Sequence, residues 1–279
     1  MNRLKILIVS KFLYARGGAE TYAISLGEML KMHNHEVRFF SMSYPENINV
    51  NENEYFVKEV SFFQSSLNAK LKAALRVFGV GVKRNYEKIL DDFQPDVIHL
   101  NNIHSYLSPI VAELAHKRGI KVIWTVHDYK LICPTYSFLC QGKPCEACIE
   151  NKYSVISRKC MKNSLLASLL AWGEIMYWNK GRLSRWTDAF ICPSNFMAQK
   201  MMQGGYPANK LHVIYNFIDS GKVKLISELS SEERELAYVY LGRLSKEKGI
   251  EELLKVAEQL PYKLSLIHIS EPTRPLYIS

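Results

Sequence analysis

A pair of glycines between a strand and a helix is the first feature of this chain that could bind a ligand. The apolar run Lys5–Ser10 is typical of a short buried strand, and Gly17 and Gly18 follow it. From Thr21 onward the apolar residues recur with helical spacing. Bare backbone N–H groups and the positive end of a helix dipole would then meet at one point, which suits a phosphate or another anion. The alternative is a plain tight turn, in which glycine is needed only for its backbone conformation.

Histidine and aspartate side chains follow two further strand-like runs. His127 and Asp128 come directly after the run Lys121–Val126, and His104 follows the run Asp96–Leu100. Parallel sheets bind their ligands at the carboxyl ends of the strands, so these positions are candidates for a functional site. The alternatives are a structural imidazole for His127 and an ordinary loop histidine for His104.

Four of the six cysteines are closely spaced, namely Cys140, Cys145, Cys148 and Cys160. The Cys-x2-Cys spacing of the middle pair is typical of thiolate zinc sites. One interpretation is therefore a structural zinc ion held by these four residues, and the alternative is a set of reduced, unliganded thiols. Disulfides are not expected, because the chain shows no secretory signal.

The composition predicts a soluble globular protein with anionic partners. Hydrophobic residues make up 48% and charged residues 23% of the chain, and 36 Lys and Arg against 27 Asp and Glu give a net charge of +9. This charge suits phosphates, nucleic acid or an anionic membrane surface. Nucleic acid is not expected, because zinc-finger, RNA-binding and helix-turn-helix patterns are missing from the sequence. The longest apolar run, Leu165–Trp172, is too short to span a bilayer, and we expect a cytoplasmic protein.

Residues 58–88 combine basic and apolar side chains in one segment. The basic residues are Lys58, Lys70, Lys72, Arg76, Lys83, Arg84 and Lys88. The pattern predicts an amphipathic helix, which could lie peripherally on the anionic inner face of a membrane and would suit a lipid-linked acceptor. The alternative is a solvated helix face that packs on the sheet.

Strand-like and helix-like runs alternate along the chain, which predicts an α/β fold with a parallel sheet and right-handed crossovers. We expect a Rossmann-like domain over residues 1–216 and a polar linker over 217–235. A second α/β unit begins at 236 and continues to 263. One helix and two strands cannot bury a core, so we expect this second unit to be truncated.

Five segments, in the same order, resemble the retaining, nucleotide-sugar-dependent glycosyltransferases of family 4, which have the two-domain GT-B fold. The segments are Gly17–Thr21, Pro95–Asn102, Thr125–Asp128, Cys192–Phe196 with Val213–Asp219, and Leu241–Gly249. The resemblance implies transfer of a sugar from a nucleotide-diphosphate sugar to a saccharide or lipid-linked acceptor in cell-envelope polysaccharide or glycolipid assembly.

The resemblance also assigns roles to individual residues. It implies that Arg243 and Lys248 hold the donor diphosphate, with Gly17 and Gly18 helping from the first domain. Charged residues beside a turn are otherwise usually just solvated. Departure of the diphosphate needs cations or dipoles at the phosphates. An Asp-x-Asp motif in a suitable place is missing from the sequence, which fits a metal-independent reaction that requires no cofactor.

Three residues of the first domain complete the expected site. The resemblance implies that His127 is the catalytic-site residue that contacts the donor sugar rather than a general base. His104 and Asp128 are expected on the acceptor side. The family's mechanism is a front-face transfer with retained configuration, in which the leaving phosphate takes the acceptor proton.

The end of the chain departs from the family pattern. Family members carry a Glu-x7-Glu element in the second domain, and residues 236–279 of this sequence contain none. Residues 264–279 resemble translated sequencing-adaptor read-through, although a natural strand is the alternative over Lys263–Ile269. We therefore expect residues 1–279 to be inactive by themselves. A non-catalytic nucleotide- or phosphosugar-binding Rossmann module is the main alternative function, and a GT-B epimerase is a further one.

Overall fold

The computed structural model describes residues 2–60, 62, 66–218, 220–228, 236–242, 244 and 248–268. The chain divides into two compact units, residues 1–216 and 217–279. In the described part of the chain, no helix combines the length and the apolar character that a membrane span requires.

A six-stranded parallel sheet forms the centre of the first unit, with strand order β10-β9-β6-β5-β1-β2. The strands of this unit are β1 (Lys5–Val9), β2 (Glu36–Phe40), β3 (Met42–Ser43), β4 (Val57–Lys58), β5 (Val97–Leu100), β6 (Lys121–Thr125), β7 (Leu139–Cys140), β8 (Lys143–Pro144), β9 (Ala189–Cys192) and β10 (Leu211–Val213). The alternation of strands and helices predicted this α/β architecture, and the structure confirms it.

Helices connect the strands of the sheet. They are α1 (Gly18–Met32), α2 (Leu67–Val77), α3 (Lys83–Phe93), α4 (Ile110–Lys117), α5 (Ala147–Glu150), α6 (Ser154–Ser157), α7 (Leu165–Tyr177), α8 (Lys180–Trp186) and α9 (Asn195–Gln203). Short 3-10 helices lie at Asn51–Tyr55 and Ala208–Lys210. The central strands are apolar and almost fully buried, as expected for a parallel sheet that helices cover on both faces.

The segment 58–88 is not the single amphipathic helix that its composition predicted. It contains the separate helices α2 and the start of α3, with Gly79 and Gly81 between them at φ values of +90° and +78°. These left-handed backbone angles interrupt an α-helix and favour glycine. A Cβ on Gly79 would also lie 2.8 Å from Ile110 Cβ, so the break is packed against α4.

The strand register aligns the carboxyl ends of the central strands. Val9 of β1 pairs with Leu100 of β5, which in turn pairs with Trp124 of β6. The residues that follow these strands therefore leave the sheet at one edge, as they do in other parallel α/β sheets.

The second unit contains α10 (Ser220–Glu228), β11 (Ala237–Gly242), α11 (Ile250–Ala257) and β12 (Lys263–His268). Strands β11 and β12 pair in parallel, and α10 lies within the segment predicted as a linker. The start of the predicted non-native tail forms most of β12, while 269–279 lie outside the described residues. The non-native origin of this tail stays a prediction.

Candidate active site at the carboxyl edge of the sheet

The glycine pair leaves the first turn of α1 open. Gly17 is the residue before the helix and has an extended backbone, with φ −163° and ψ −175°, and no side chain caps the helix there. A Cβ on Gly17 would lie 3.2 Å from Glu20 Oε2, and a Cβ on Gly18 would meet no atom within 4 Å. Neither glycine has a positive φ, so turn geometry does not require glycine here. Their lack of a side chain instead leaves room beside the first turn of α1. The open N–H groups suit an anion.

His127 lies beside α1 and the end of β5. Its Nε2 is 3.0 Å from Asn101 Oδ1, and its ring meets the Tyr22 ring edge-on at a centroid distance of 5.1 Å. Burial lowers the pKa of His127 to about 4. The imidazole is therefore neutral near pH 7, and because Asn101 Oδ1 can only accept a hydrogen bond, Nε2 donates the proton. Nδ1 is then left as an acceptor.

A second buried histidine supports this edge from within the sheet. His99 of β5 has its Nε2 2.8 Å from Thr125 Oγ1 at the end of β6. Burial, and then the neighbouring His127, lower the pKa of His99 to about 4. This contact joins β5 to the end of β6, two residues before His127.

His104 and Asp128, the predicted acceptor-side residues, share their charged neighbours. The His104 ring stacks on Trp124 at a centroid distance of 5.3 Å, and burial together with Lys130 and Lys11 lowers its pKa well below the usual value. Asp128 Oδ1 accepts a 2.8 Å hydrogen bond from the backbone N–H of Lys130. Burial raises the pKa of Asp128, although Lys11 and Lys130 oppose the rise.

A buried ion pair fixes the loop after β6 to α7. Lys130 Nζ lies 2.7 Å from Glu174 Oε2, and the two side chains are only 9% and 8% exposed. Ser105 Oγ donates a 2.8 Å hydrogen bond to Glu174 Oε1, and Lys130 Nζ also donates to Pro134 O at 2.9 Å. Buried charges require such complete pairing, so this network positions the loops that carry His104 and Asp128.

The predicted donor-phosphate residues are divided between the two units. Gly17 and Gly18 lie in the first unit, as described above, whereas Lys248 is an exposed residue of the second unit, directly before Gly249 at the start of α11. Arg243 lies outside the described residues. The joint action of these four residues on a diphosphate stays a prediction.

The four cysteines of the predicted zinc site lie near one another, since Cys140, Cys148 and Cys145 all act electrostatically on Cys160, and the zinc site stays a prediction. Within the described ranges, no three His, Cys, Asp or Glu side chains are placed to hold a metal ion. Cys148 packs with Val155 and Ile156 in a small apolar cluster, and Cys145 Sγ accepts a hydrogen bond from Arg158 at 3.3 Å. The remaining two cysteines, Cys140 and Cys160, form a pair with an Sγ–Sγ distance of 3.1 Å. All six cysteines are free thiols.

Several residues of this edge were not predicted from the sequence. They are Lys11, Glu20, Asn101, Lys130 and Glu174. Lys11 directly follows the predicted strand Lys5–Ser10, so its position after a strand was an available signal. By contrast, the partnership of Lys130 with Glu174 joins a loop to a distant helix and has no local sequence signal.

Comparison with known proteins identifies the family. Residues 16–222 match Glycosyltransferase Family 4. The chain belongs to this family. The match includes the glycine pair, both predicted histidines and the buried Lys130–Glu174 ion pair. The resemblance in the sequence motifs is thereby confirmed.

A curated protein matches most of the chain. An uncharacterized 42.6 kDa protein in the cps region of Klebsiella pneumoniae is 25% identical over 270 residues, and the alignment covers 91% of this chain and 65% of that protein. The chain therefore spans somewhat less than two thirds of the length of this curated relative.

Two solved structures share the fold. The catalytic domain of Starch Synthase IV from Arabidopsis thaliana, bound to ADP and acarbose, is 15% identical with a TM-score of 0.54, covering 96% of this chain and 69% of that chain. An alpha-glucosyltransferase in complex with UDP and DNA is 13% identical with a TM-score of 0.50, and the alignment covers 93% of this chain and 54% of that chain. The six-stranded parallel sheet is thus the Rossmann-like sheet of a GT-B glycosyltransferase.

Proposed function

We propose that the protein of which this chain is part transfers a sugar from a nucleotide-diphosphate sugar to a cell-envelope acceptor. The family 4 match over residues 16–222 carries this proposal. The location of the Klebsiella relative in a cps region supports an envelope role, and the ADP and UDP of the two solved structures support a nucleoside-diphosphate donor.

The geometry of the carboxyl edge supports sugar transfer without a general base at His127. A pKa of about 4 leaves His127 neutral, and its free ring nitrogen is suited to accept a hydrogen bond from a sugar hydroxyl. The open N-terminus of α1 offers N–H groups to negative charge that develops on the leaving phosphates. We propose a front-face transfer with retained configuration, in which the leaving phosphate takes the acceptor proton.

The reaction is proposed to need no metal ion. The sequence lacks an Asp-x-Asp motif in a suitable place, and Arg243 and Lys248 are proposed to supply positive charge at the diphosphate instead. Residues 1–279 alone are proposed to be inactive, because the described part of the second unit has two helices and one pair of strands, too few elements to bury a core.

Metal independence and inactivity of the shorter chain are tested in one assay. A longer protein is prepared, in which a complete second domain follows residue 262, and it is incubated with UDP- and GDP-hexoses and a bacterial lipid extract. We expect release of nucleoside diphosphate and labelled lipid product, unchanged by EDTA, and neither from residues 1–279. Loss of product in EDTA would contradict metal independence, and turnover by residues 1–279 would contradict their inactivity.

We also propose that the first unit binds an anionic membrane through α2, which would suit a lipid-linked acceptor. The outer face of α2 carries Leu67, Leu71 and Leu75, which are 81%, 57% and 43% exposed. On a helical wheel these leucines fall within about 80°, with Lys70 and Lys72 on either side. Both lysines are exposed, and α2 contains no acidic residue. Apolar residues between lysines are typical of helices that lie on anionic bilayers.

Substitution of Leu67 and Leu71 by glutamate tests this surface. We expect the affinity of residues 1–279 for phosphatidylglycerol vesicles at low salt to fall by more than about tenfold, because two apolar contacts are lost and two like charges added. Co-sedimentation measures the bound fraction. Met32→Glu is the matched control, because Met32 is a 70% exposed apolar residue on α1. Equal binding of both variants, or no binding by the unaltered chain, would contradict the proposal.

A further inference from the structure

Lys11 is a cation at the candidate site, and the proposed reaction gives this residue no role. It is the second residue after β1, and its backbone N–H donates a 2.9 Å hydrogen bond to Asn102 O in the loop after β5. Its side chain is half-buried. The backbone at this position is thus fixed by the sheet edge, while the ammonium is held near the loops that carry the predicted acceptor-side residues.

The Lys11 ammonium has neither a hydrogen bond nor an ion pair with the residues that the structure describes. Its nearest ring neighbours are Tyr106 and Phe12, whose centroids lie 5.1 Å and 5.4 Å from Nζ. Burial lowers the pKa of Lys11. The carboxylates of Asp128 and Glu20 oppose this effect, whereas the cations Arg16 and Lys130 add to it. The two carboxylates influence the ammonium without contacting it. A poorly hydrated cation of this kind gains from a direct anionic partner.

A group of aromatic rings adjoins this cation. Phe12 packs against Tyr14, Tyr44 and Tyr106 with centroid distances of 5.6, 5.2 and 5.8 Å. Phe12 and Tyr14 are buried, whereas Tyr44 and Tyr106 are half-buried and retain accessible surface. The Arg16 guanidinium lies 4.3 Å from the same Phe12 centroid. Flat aromatic surfaces suit the C–H face of a sugar ring, so apolar and cationic surfaces occur side by side here.

We propose that Lys11, together with the accessible surface of the half-buried Tyr44 and Tyr106, binds an acceptor sugar that carries an anionic group. The inference rests on the proposed function, because it names the acceptor class of that same site. The anionic group is either a phosphate, as in a lipid-linked sugar phosphate, or the carboxylate of an acidic sugar. Lys11 donates its N–H groups to this anion, and the sugar ring packs on the two tyrosines.

Binding of small probes to residues 1–279 in the absence of a donor tests this inference. Glucose 6-phosphate represents the phosphate source, glucuronate the carboxylate source, and glucose the neutral sugar. We expect one or both anionic sugars to bind more tightly than glucose by isothermal titration calorimetry at low salt. Lys11→Met should weaken that binding about tenfold, as expected for the loss of one hydrogen bond to a charged group. Lys11→Arg should largely retain it.

Lys31→Met is the matched control, because Lys31 Nζ also lies over an aromatic ring, 5.3 Å from the Phe39 centroid, on the last turn of α1. This variant should bind the probes like the unaltered chain. Thermal unfolding of each variant verifies that it is folded. If Lys11→Met does not fold, the preference of the unaltered chain for anionic over neutral sugar decides the matter.

Three results would overturn the inference. They are equal binding of glucose and both anionic sugars, unchanged binding by a folded Lys11→Met variant, and a Lys11→Met variant that loses affinity for UDP but not for the anionic sugars. The assay contains no donor sugar, so its failure leaves the sugar-transfer proposal standing. Conversely, anionic sugars can bind at Lys11 even if the longer protein transfers no sugar.

Discussion

Replacement of Glu174 by alanine is expected to lower the free energy of unfolding of the first unit by about 3–5 kcal/mol, as is typical when one partner of a buried ion pair is removed. Lys130 and Glu174 are less than a tenth exposed and 2.7 Å apart. The substitution leaves the Lys130 ammonium buried with only Pro134 O as a described hydrogen-bond acceptor. It also removes the acceptor of the Ser105 hydroxyl. Urea unfolding followed by tryptophan fluorescence measures the change.

An ion pair with an exposed lysine provides the matched control for this prediction. Glu113 and Lys117 of α4 are 2.6 Å apart, but Lys117 is 63% exposed. Glu113→Ala should cost less than about 1 kcal/mol, because solvent screens such pairs. Replacing both buried partners together, as Lys130→Met with Glu174→Leu, should recover part of the lost stability. A cost for Glu174→Ala as small as that for Glu113→Ala would contradict a positioning role for the buried pair.

Replacement of His127 by alanine is expected to reduce kcat/KM for sugar transfer about 10²–10³-fold, as the loss of one preorganised polar contact in an active site typically does. The hydrogen bond to Asn101 and the contact with the Tyr22 ring fix the imidazole at the carboxyl edge. The longer protein described above is required for this measurement. Stability should change little in comparison, because His127 is not part of the Lys130–Glu174 network.

The pH dependence distinguishes a neutral His127 from a general base. With a pKa of about 4, His127 does not change its charge between about pH 6 and 8, so activity in this range should show no titration that the His127→Ala substitution removes. His33→Ala, at the exposed end of α1, is the control and should retain full activity. Unreduced transfer by a folded His127→Ala variant would exclude His127 from the site.

Much of the fold could be predicted from the sequence, because its strands are short apolar runs. The first strand, for example, is predicted as Lys5–Ser10 and ends in the structure at Val9. Strand ends also indicate where His127, His104 and Asp128 lie, since parallel strands bring their carboxyl ends to one edge, whereas the roles of these residues stay predictions. The family motifs are local in sequence as well, and the comparison with known proteins confirmed the family.

Features that depend on distant contacts could not be predicted in this way. Glu174 lies in a helix with an apolar sequence, and only tertiary packing shows that its carboxylate meets Lys130. The division of residues 58–88 into α2 and α3 depends on two glycines with left-handed backbone, one of them packed against α4. The cysteine spacing predicts a zinc site, and this stays a prediction, because spacing alone does not fix where the sulfur atoms point; Cys148, for example, packs with Val155 and Ile156.

Sugar transfer itself is tested most directly by proton NMR of the reaction. The longer protein is incubated with an α-linked nucleotide hexose and an acceptor lipid extract, and the anomeric protons are followed over time. We expect the donor signal to fall while a new α-anomeric signal of a glycosidic product rises. A donor spectrum that never changes despite nucleotide binding would contradict sugar transfer and favour a binding module. Conversion of the donor into an epimeric nucleotide sugar would contradict it in favour of an epimerase.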